Sequence, residues 1–269
     1  MKITFLGGGN MAAALIGGML EREFVASAIT VIEPVAERRE WLMEQFGVAV
    51  AGNAGELFGA DAVVLAVKPQ QMRAALAPLA GQLGEALAIS VAAGLRTQDL
   101  SRWLGGHTQI VRAMPNTPSL VGAGVTGLYA TEDVDADGRA LAGRILGAVG
   151  RVEWTENEAS MDTIAAVSGS GPAYVFHFIE ALESAAVARG LPADTARRLA
   201  IDTVLGAAKL VASSADGPDV LRQRVTSKGG TTAAALDVLS EGGFVELVGR
   251  AVAAAEARGQ ALGAELGKD

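Results

Sequence analysis

The sequence predicts an α/β protein in two parts. A mainly parallel sheet flanked by helices spans residues 1–155, and an all-helical part spans residues 156–269. Three observations carry this reading. Short β-type runs alternate with helix-length segments through the first part, the pattern of βαβ units. The run 62–67 is apolar on both faces, as suits a central strand covered by helices on each side. After about residue 157 the strand signals stop and Ala-rich helical segments follow one another.

In chain order, strands are expected at 3–6, 29–32, 62–67, 87–92, 109–114 and 124–129, with 151–154 as a last edge strand. Helices are expected between them at 10–21, 36–46, 71–83 and 98–104. The second part reads as helices at 158–167, 171–189, 193–214, 218–225, 231–241 and 243–265. Gly190-Leu191-Pro192 stops one helix with glycine just past its end, and Asp216-Gly217-Pro218 breaks another. No internal repeat or low-complexity linker interrupts the chain.

Composition narrows the function. Apolar residues make up 50% of the 269 and charged residues 19%, which is enough for full cores and excludes intrinsic disorder. With 22 Lys and Arg against 30 Asp and Glu, the net charge is −8, so no footprint for nucleic acid or an anionic membrane exists. There is no cysteine, which excludes disulfides, thiolate catalysis and zinc–thiolate sites. Only two histidines are present, so no metal centre is expected. The charge-free stretches 113–131 and 163–179 are broken by Pro115, Asn116 and Pro118 and by the Ser-Gly pairs at 168–171. Neither is the roughly 20-residue apolar helix that spans a bilayer. Residues 11–20 resemble a signal-peptide core, but Gly7-Gly8-Gly9-Asn10 interrupts the run, and a cytoplasmic protein is expected.

The 34 glycines gather where loops have work to do. Gly7-Gly8-Gly9-Asn10-Met11-Ala12 follows the first strand and opens the first helix as Gly-x-Gly-x-x-Ala. Gly7 allows the tight turn, Gly9 lets backbone approach a pyrophosphate, and Ala12 is small enough for close helix–strand packing. The N–H groups at the helix start then attract phosphate. Glu33 ends the second strand, where a carboxylate accepts ribose hydroxyls and favours NAD over a 2′-phosphate. Arg38 and Arg39 read as a solvated helix face rather than as phosphate ligands.

Ligands of open α/β sheets bind beyond the carboxyl ends of the strands. Ala66-Val67-Lys68-Pro69 and Ala92-Ala93-Gly94 lie at two such ends and read as cofactor contacts. Lys68 is taken as an anchor for hydroxyls or phosphate rather than as a general base. Asn53, before a helix-like segment, carries both a cofactor reading and a plain N-cap reading. Met114-Pro115-Asn116 ends another strand in a stiff loop suited to holding polar groups near a nicotinamide.

The second part holds two glycine-rich segments at helix starts. Gly229-Gly230-Thr231-Thr232 offers backbone N–H groups and hydroxyls to a small anionic substrate, and Ser168-Gly169-Ser170, before the helix near Pro172, offers a second nest. No strong acid–base residue accompanies them. His107 reads as a surface residue, His177 as a packed or lining one, and Asp162, Glu180 and Glu183 as ordinary helix charges. That fits a hydride transfer in which any proton comes from solvent and the residues mainly position the reactants.

The segment 225–232 with its downstream helix, the Met114–Pro118 loop motif and Ser168-Gly169-Ser170-Gly171-Pro172-Ala173-Tyr174 together resemble the bacterial pyrroline-5-carboxylate reductase family, in order and over essentially the whole chain. The resemblance implies a Rossmann domain followed by an all-α dimerisation domain. It further implies reduction of 1-pyrroline-5-carboxylate, a cyclic imino acid, to L-proline with NAD(P)H, in a homodimer or a higher homo-oligomer of dimers. NADPH is the cofactor the family implies, whereas Glu33 argues that NADH is well used. The resemblance assigns Thr232 a catalytic hydroxyl at the ring nitrogen and leaves Lys228 facing solvent. A 3-hydroxyacid dehydrogenase of similar plan would need a helical-domain lysine soon after a glycine motif, and none stands between Ser168 and Lys209. A nucleotide-binding regulatory protein would not need the two substrate-side segments.

Overall fold

The computed structural model describes residues 1–54 and 59–268. Its described residues form one eight-stranded sheet in the order β3-β2-β1-β4-β5-β6-β7-β8. These strands are β1 (Ile3–Leu6), β2 (Ile29–Ile32), β3 (Ala49–Ala51), β4 (Ala62–Leu65), β5 (Leu87–Ser90), β6 (Ile110–Met114), β7 (Gly124–Ala130) and β8 (Gly150–Trp154). All neighbours pair parallel except β6 and β7, which run antiparallel. The mainly parallel sheet and the edge position of the last strand are as the sequence predicts.

Alternation along the strands builds a core on each face. Ile3 and Phe5 of β1, Val64 of β4 and Ile89 of β5 join one cluster. Leu6, Val63, Leu65 and Ala88 join the other. The first cluster is closed by α1 (Asn10–Leu20), α2 (Ala36–Phe46) and α5 (Ala136–Gly147), through Leu15, Ile16, Leu42, Ile145 and Leu146. The second is closed by α3 (Pro69–Leu76) and α4 (Thr97–Trp103), through Met72, Leu76, Leu100 and Trp103. Each such large apolar side chain contributes about 1.5–3 kcal/mol by leaving water.

Three differences from the expected elements have local causes. The helix expected to reach residue 83 ends at Leu76 and tightens into a 3₁₀ turn, Ala77–Leu79. Pro78 lies there and has no N–H to continue the α ladder. Helix α5 was not expected, because Gly138, Gly143 and Gly147 dilute its helix propensity. Its start is nonetheless fixed by Asp135, whose carboxylate accepts from the N–H of Gly138 at 2.8 Å. Strand β3 is three residues long, too short for an alternation pattern to show.

After β8 every described element is helical: α6 (Ser160–Ile164), a π-helical turn (Ala165–Gly169), α7 (Gly171–Ala188), α8 (Ala193–Ser213), α9 (Pro218–Arg224), α10 (Thr231–Glu241) and α11 (Phe244–Leu266). The chain divides into two compact units. Met1–Ser170 with the chain from Ala254 onward form the first, and Gly171–Ala253 the second. In the first unit, the end of α11 packs closely on the loop after β5. A Cβ on Gly263 would stand 2.5 Å from the Gly94 carbonyl, so only glycine fits. In the second, α7 and α8 pack together and Arg197 pairs with Glu183 at 3.3 Å. No described helix is long and apolar enough to cross a membrane.

Candidate functional site

Because β3, β2, β1, β4, β5 and β6 run parallel, the loops that follow them leave one edge of the sheet. The strand order reverses between β1 and β4, and such a reversal opens a crevice. The glycine loop lies there. Its three glycines answer to different constraints. Gly7 has φ +99° and a Cβ would stand 2.8 Å from the Ala66 carbonyl oxygen; a Cβ on Gly8 would stand 2.5 Å from Leu42. A Cβ on Gly9 would meet nothing within 4 Å. Nothing in the chain's own packing demands glycine at 9, whereas a pyrophosphate approaching the backbone does. Gly9 caps α1 without a side-chain hydrogen bond, and no acidic residue stands in the first turn. Asn10 is exposed, Met11 half-buried and Ala12 fully buried. The open helix start fits the phosphates of a nicotinamide dinucleotide.

Glu33 follows β2 and reaches the glycine loop. Its carboxylate accepts the Gly8 N–H at 2.9 Å and the Val35 N–H at 3.0 Å, tying β2's end to the glycine loop. The two following arginines do not form a solvated face. Arg38 Nε donates to the Gly8 carbonyl at 2.6 Å, and its guanidinium stacks 4.0 Å above Trp41. Arg38 Nη2 is buried with no partner among the described residues. Arg39 Nη1 donates to the carbonyls of Glu33 and Pro34, both at 2.8 Å. Two cations are thus held against the glycine loop and the end of β2 by backbone carbonyls that the sequence pattern does not reveal.

The other residues expected from the sequence to contact a cofactor lie in loops at the ends of β3, β4, β5 and β6. Ala66 and Val67 are half-buried after β4, Lys68 is exposed as the N-cap of α3, and Pro69 occupies its first turn. Ala92 is buried, Ala93 exposed and Gly94 takes φ +82°. Asn53 is exposed in the turn after β3, and the helix-like segment beyond it falls on 55–58, outside the described residues. Met114, the last residue of β6, is half-buried, and Pro115 and Asn116 after it are buried. Asn116 is held at both ends of its amide: Oδ1 accepts from Val125 N–H and Nδ2 donates to the Ser168 carbonyl, each at 3.0 Å.

That second bond brings 168–170 to the 114–116 loop. The segment directly precedes α7, which starts at Gly171, as the sequence suggests, but it is not a free loop. It is a π turn continuous with α6, with the Ser170 N–H donating to the Ala165 carbonyl at 2.9 Å. Ser168 Oγ donates to Ile164 at 2.8 Å. A Cβ on Gly169 would stand 2.6 Å from Met114 Cε, so glycine lets the turn lie against the loop. In the second unit, Gly229 has φ +71°, Gly230 caps α10 without a side-chain bond, and Thr231 and Thr232 fill its first turn, Thr232 half-buried. Lys228 is exposed.

A family model described as pyrroline-5-carboxylate reductase dimerisation matches residues 158–262. A second, described as NADP oxidoreductase coenzyme F420-dependent, matches residues 2–94. The pyrroline-5-carboxylate reductase of Pseudomonas aeruginosa is 44% identical over 269 residues, covering 99% of this chain and 98% of that one. The chain belongs to the pyrroline-5-carboxylate reductase family. Solved structures agree. The pyrroline-5-carboxylate reductase of Coxiella burnetii superposes with TM-score 0.93 at 44% identity, over 97% of this chain and 98% of that one. The Plasmodium falciparum pyrroline carboxylate reductase, solved with NADP bound, does so with TM-score 0.86 at 30% identity, over 98% of each chain.

As a member of the pyrroline-5-carboxylate reductase family, this chain carries no metal-type cluster of His, Cys, Asp and Glu among its described residues. His107 is half-buried and reaches Gln109's carbonyl at 3.2 Å, while His177 lies exposed on α7, 3.3 Å from Glu180. Asp162 departs most from its sequence reading. It is not a solvated helix charge but is buried on α6, paired with Arg112 of β6 and with Arg96. An arginine in a strand, such as Arg112, gives no local sign of what it faces. Only its partner, 50 residues away, explains it.

Proposed function

We propose that this chain reduces 1-pyrroline-5-carboxylate to L-proline, the last step of proline biosynthesis. Identity of 44% to a pyrroline-5-carboxylate reductase over nearly the whole of both chains carries the reading. The uncapped start of α1 beside the open face of Gly9 supports a nicotinamide dinucleotide there. When bound, the reduced nicotinamide supplies the hydride. The chain's own residues bind and orient. In this reading Gly7, Gly8, Gly9, Asn10 and Met11 hold the pyrophosphate and Glu33 the adenosine ribose. Asn53, Ala66, Val67, Lys68, Pro69, Ala92, Ala93 and Gly94 line the dinucleotide, and Met114, Pro115 and Asn116 border the nicotinamide.

The substrate carboxylate is held by donors of 168–170 and 229–232, and the Thr232 hydroxyl meets the ring nitrogen. The imine nitrogen is protonated from solvent, the adjacent carbon accepts hydride, and the secondary amine of proline results. Residues 1–155 serve the cofactor, and residues 156–269 serve the substrate and pairing with a second copy. Pairing is supported by the second unit. Of Gly171–Ala253, Ala196 and Ala200 are the residues buried below the surface, while Phe176, Leu199, Leu205, Val238 and Val245 lie exposed. Helices so apolar in their circumference are covered by another chain.

NADH and NADPH are both used in this reading. Glu33 offers ribose hydroxyls an acceptor, and Arg38 and Arg39 offset its charge toward a 2′-phosphate. The test is oxidation of each reduced cofactor by purified protein with 1-pyrroline-5-carboxylate, beside reduction of each oxidised cofactor with a panel of 3-hydroxyacids. Turnover is expected with the cyclic imino acid alone. Robust turnover of 3-hydroxyacids with none of the imino acid refutes the assignment.

A further inference from the structure

Four charged side chains in the first unit have no part in the roles above. Arg112 stands in β6 with its side chain 4% exposed, and Asp162 on α6 is 2% exposed. Arg112 Nη2 donates to Asp162 Oδ1 at 3.2 Å and Nη1 to Glu158 Oε1 at 3.4 Å. Arg96, in the loop between β5 and α4, donates to the other oxygen of Asp162. Thr97 fastens Glu158 by its N–H at 2.8 Å and its hydroxyl at 3.0 Å. Two cations face two anions. Such a buried set gains little net stability over well-packed apolar side chains, but its directional bonds admit one arrangement.

What the set fixes follows from what each partner leads to. Two residues after Arg112 comes Met114, then Pro115 and Asn116. Three residues after Asp162 the π turn Ala165–Gly169 begins. The two segments meet again where Asn116 Nδ2 donates to the Ser168 carbonyl at 3.0 Å. A π turn shifts the helix register, and such turns recur at functional sites. Where α6 is pinned therefore decides which atoms of 168–170 face the 114–116 loop.

We propose that the buried Arg112–Asp162 pair, with Arg96 and Glu158, is a positioning device for hydride transfer that holds the Ser168 π turn in register against the Met114–Asn116 loop. This rests on the functional reading above. None of the four touches the reacting atoms, so each acts through the turn.

The test is a single turnover of the full-length enzyme, read as loss of reduced-cofactor absorbance, in wild type, Asp162→Asn and Glu158→Gln. The rate constant reports positioning and the amplitude reports the fraction of active enzyme. Asp162→Asn is expected to lower the rate constant about 10–100-fold, the scale of a misplacement near 1 Å, with KM for cofactor changed less than about threefold. Glu158→Gln, at the half-buried end, is expected to lower it about 3–10-fold by a smaller misplacement, and decides the matter alone if Asp162→Asn does not fold. A reduced amplitude with an unchanged rate constant means a merely structural role and overturns the proposal. So does an unchanged rate constant in the folded variants. A wild type inactive on 1-pyrroline-5-carboxylate refutes the functional reading, and this proposal with it. An active wild type with unmoved variants refutes this proposal alone.

Discussion

Replacing Glu33 by serine should convert the enzyme toward NADPH, and the contacts of Glu33 set the size of the effect. Its carboxylate accepts two backbone N–H groups, from Gly8 and Val35, and it neighbours Arg38 and Arg39. A carboxylate and a 2′-phosphate charge about 7 Å apart, at an effective dielectric near 20, repel by about 2 kcal/mol, or roughly thirtyfold. Removing the carboxylate also takes from NADH an acceptor for its ribose hydroxyls, a further loss of about 1–3 kcal/mol. With the two arginines retained, the ratio of kcat/KM for NADPH to that for NADH should rise by at least about tenfold, the lower end of that range after partial screening. Serine cannot span to both N–H groups, so the glycine loop loosens and the variant should melt a few degrees lower, about 2–4 °C for each kcal/mol lost. Glu33→Gln separates charge from hydrogen bonding, since it keeps an acceptor oxygen and removes the charge. It should move the cofactor ratio in the same direction with less loss of melting temperature. Steady-state kinetics with both cofactors on all three proteins measure this. A wild type that strongly prefers NADPH, with a ratio unmoved by either substitution, would show that Glu33 does not line the adenosine pocket.

Thr232→Ala should leave cofactor binding and oligomeric state intact and lower kcat/KM for the imino acid by about 5–150-fold, the worth of one hydrogen bond to a polar or charged partner. Kinetics beside gel filtration check it, and an unaffected enzyme removes Thr232 from the site. Val248→Asp places a charge in the apolar groove of the second unit, whose lining includes Tyr174, Phe178, Val211 and Phe244. It should yield monomers and abolish activity together, as light scattering with the same assay would show, and a fully active monomer would refute the role of this surface.

Much of this fold could be read from neighbours in sequence. Strands β1 and β2 and helix α2 lie where the periodicity places them, because alternation and the 3.6-residue repeat report which face is buried. The glycine loop was visible for the same reason: Gly7 satisfies a positive φ, a property of the residue itself. Family resemblance rested likewise on contiguous motifs, 114–118, 168–174 and 225–232. Three things depended on tertiary structure. Arg38 and Arg39 looked like surface charges until backbone carbonyls of the glycine loop and of β2's end were brought within hydrogen-bond reach. The Ser-Gly-Ser segment was legible as the break before α7, because glycine and proline mark breaks; only the hydrogen bond from Ser170 N–H to the Ala165 carbonyl shows that the turn before it is π, with one residue of extra register. Asp162 and Arg112 each had an ordinary local reading, as a helix charge and a strand residue. Charge pairing depends on distance in space, and folding brings β6 and α6 together across 50 residues of chain. Local propensity and turn chemistry act between near neighbours and are written in the sequence; desolvation and ion pairing are decided by what the fold places opposite each group.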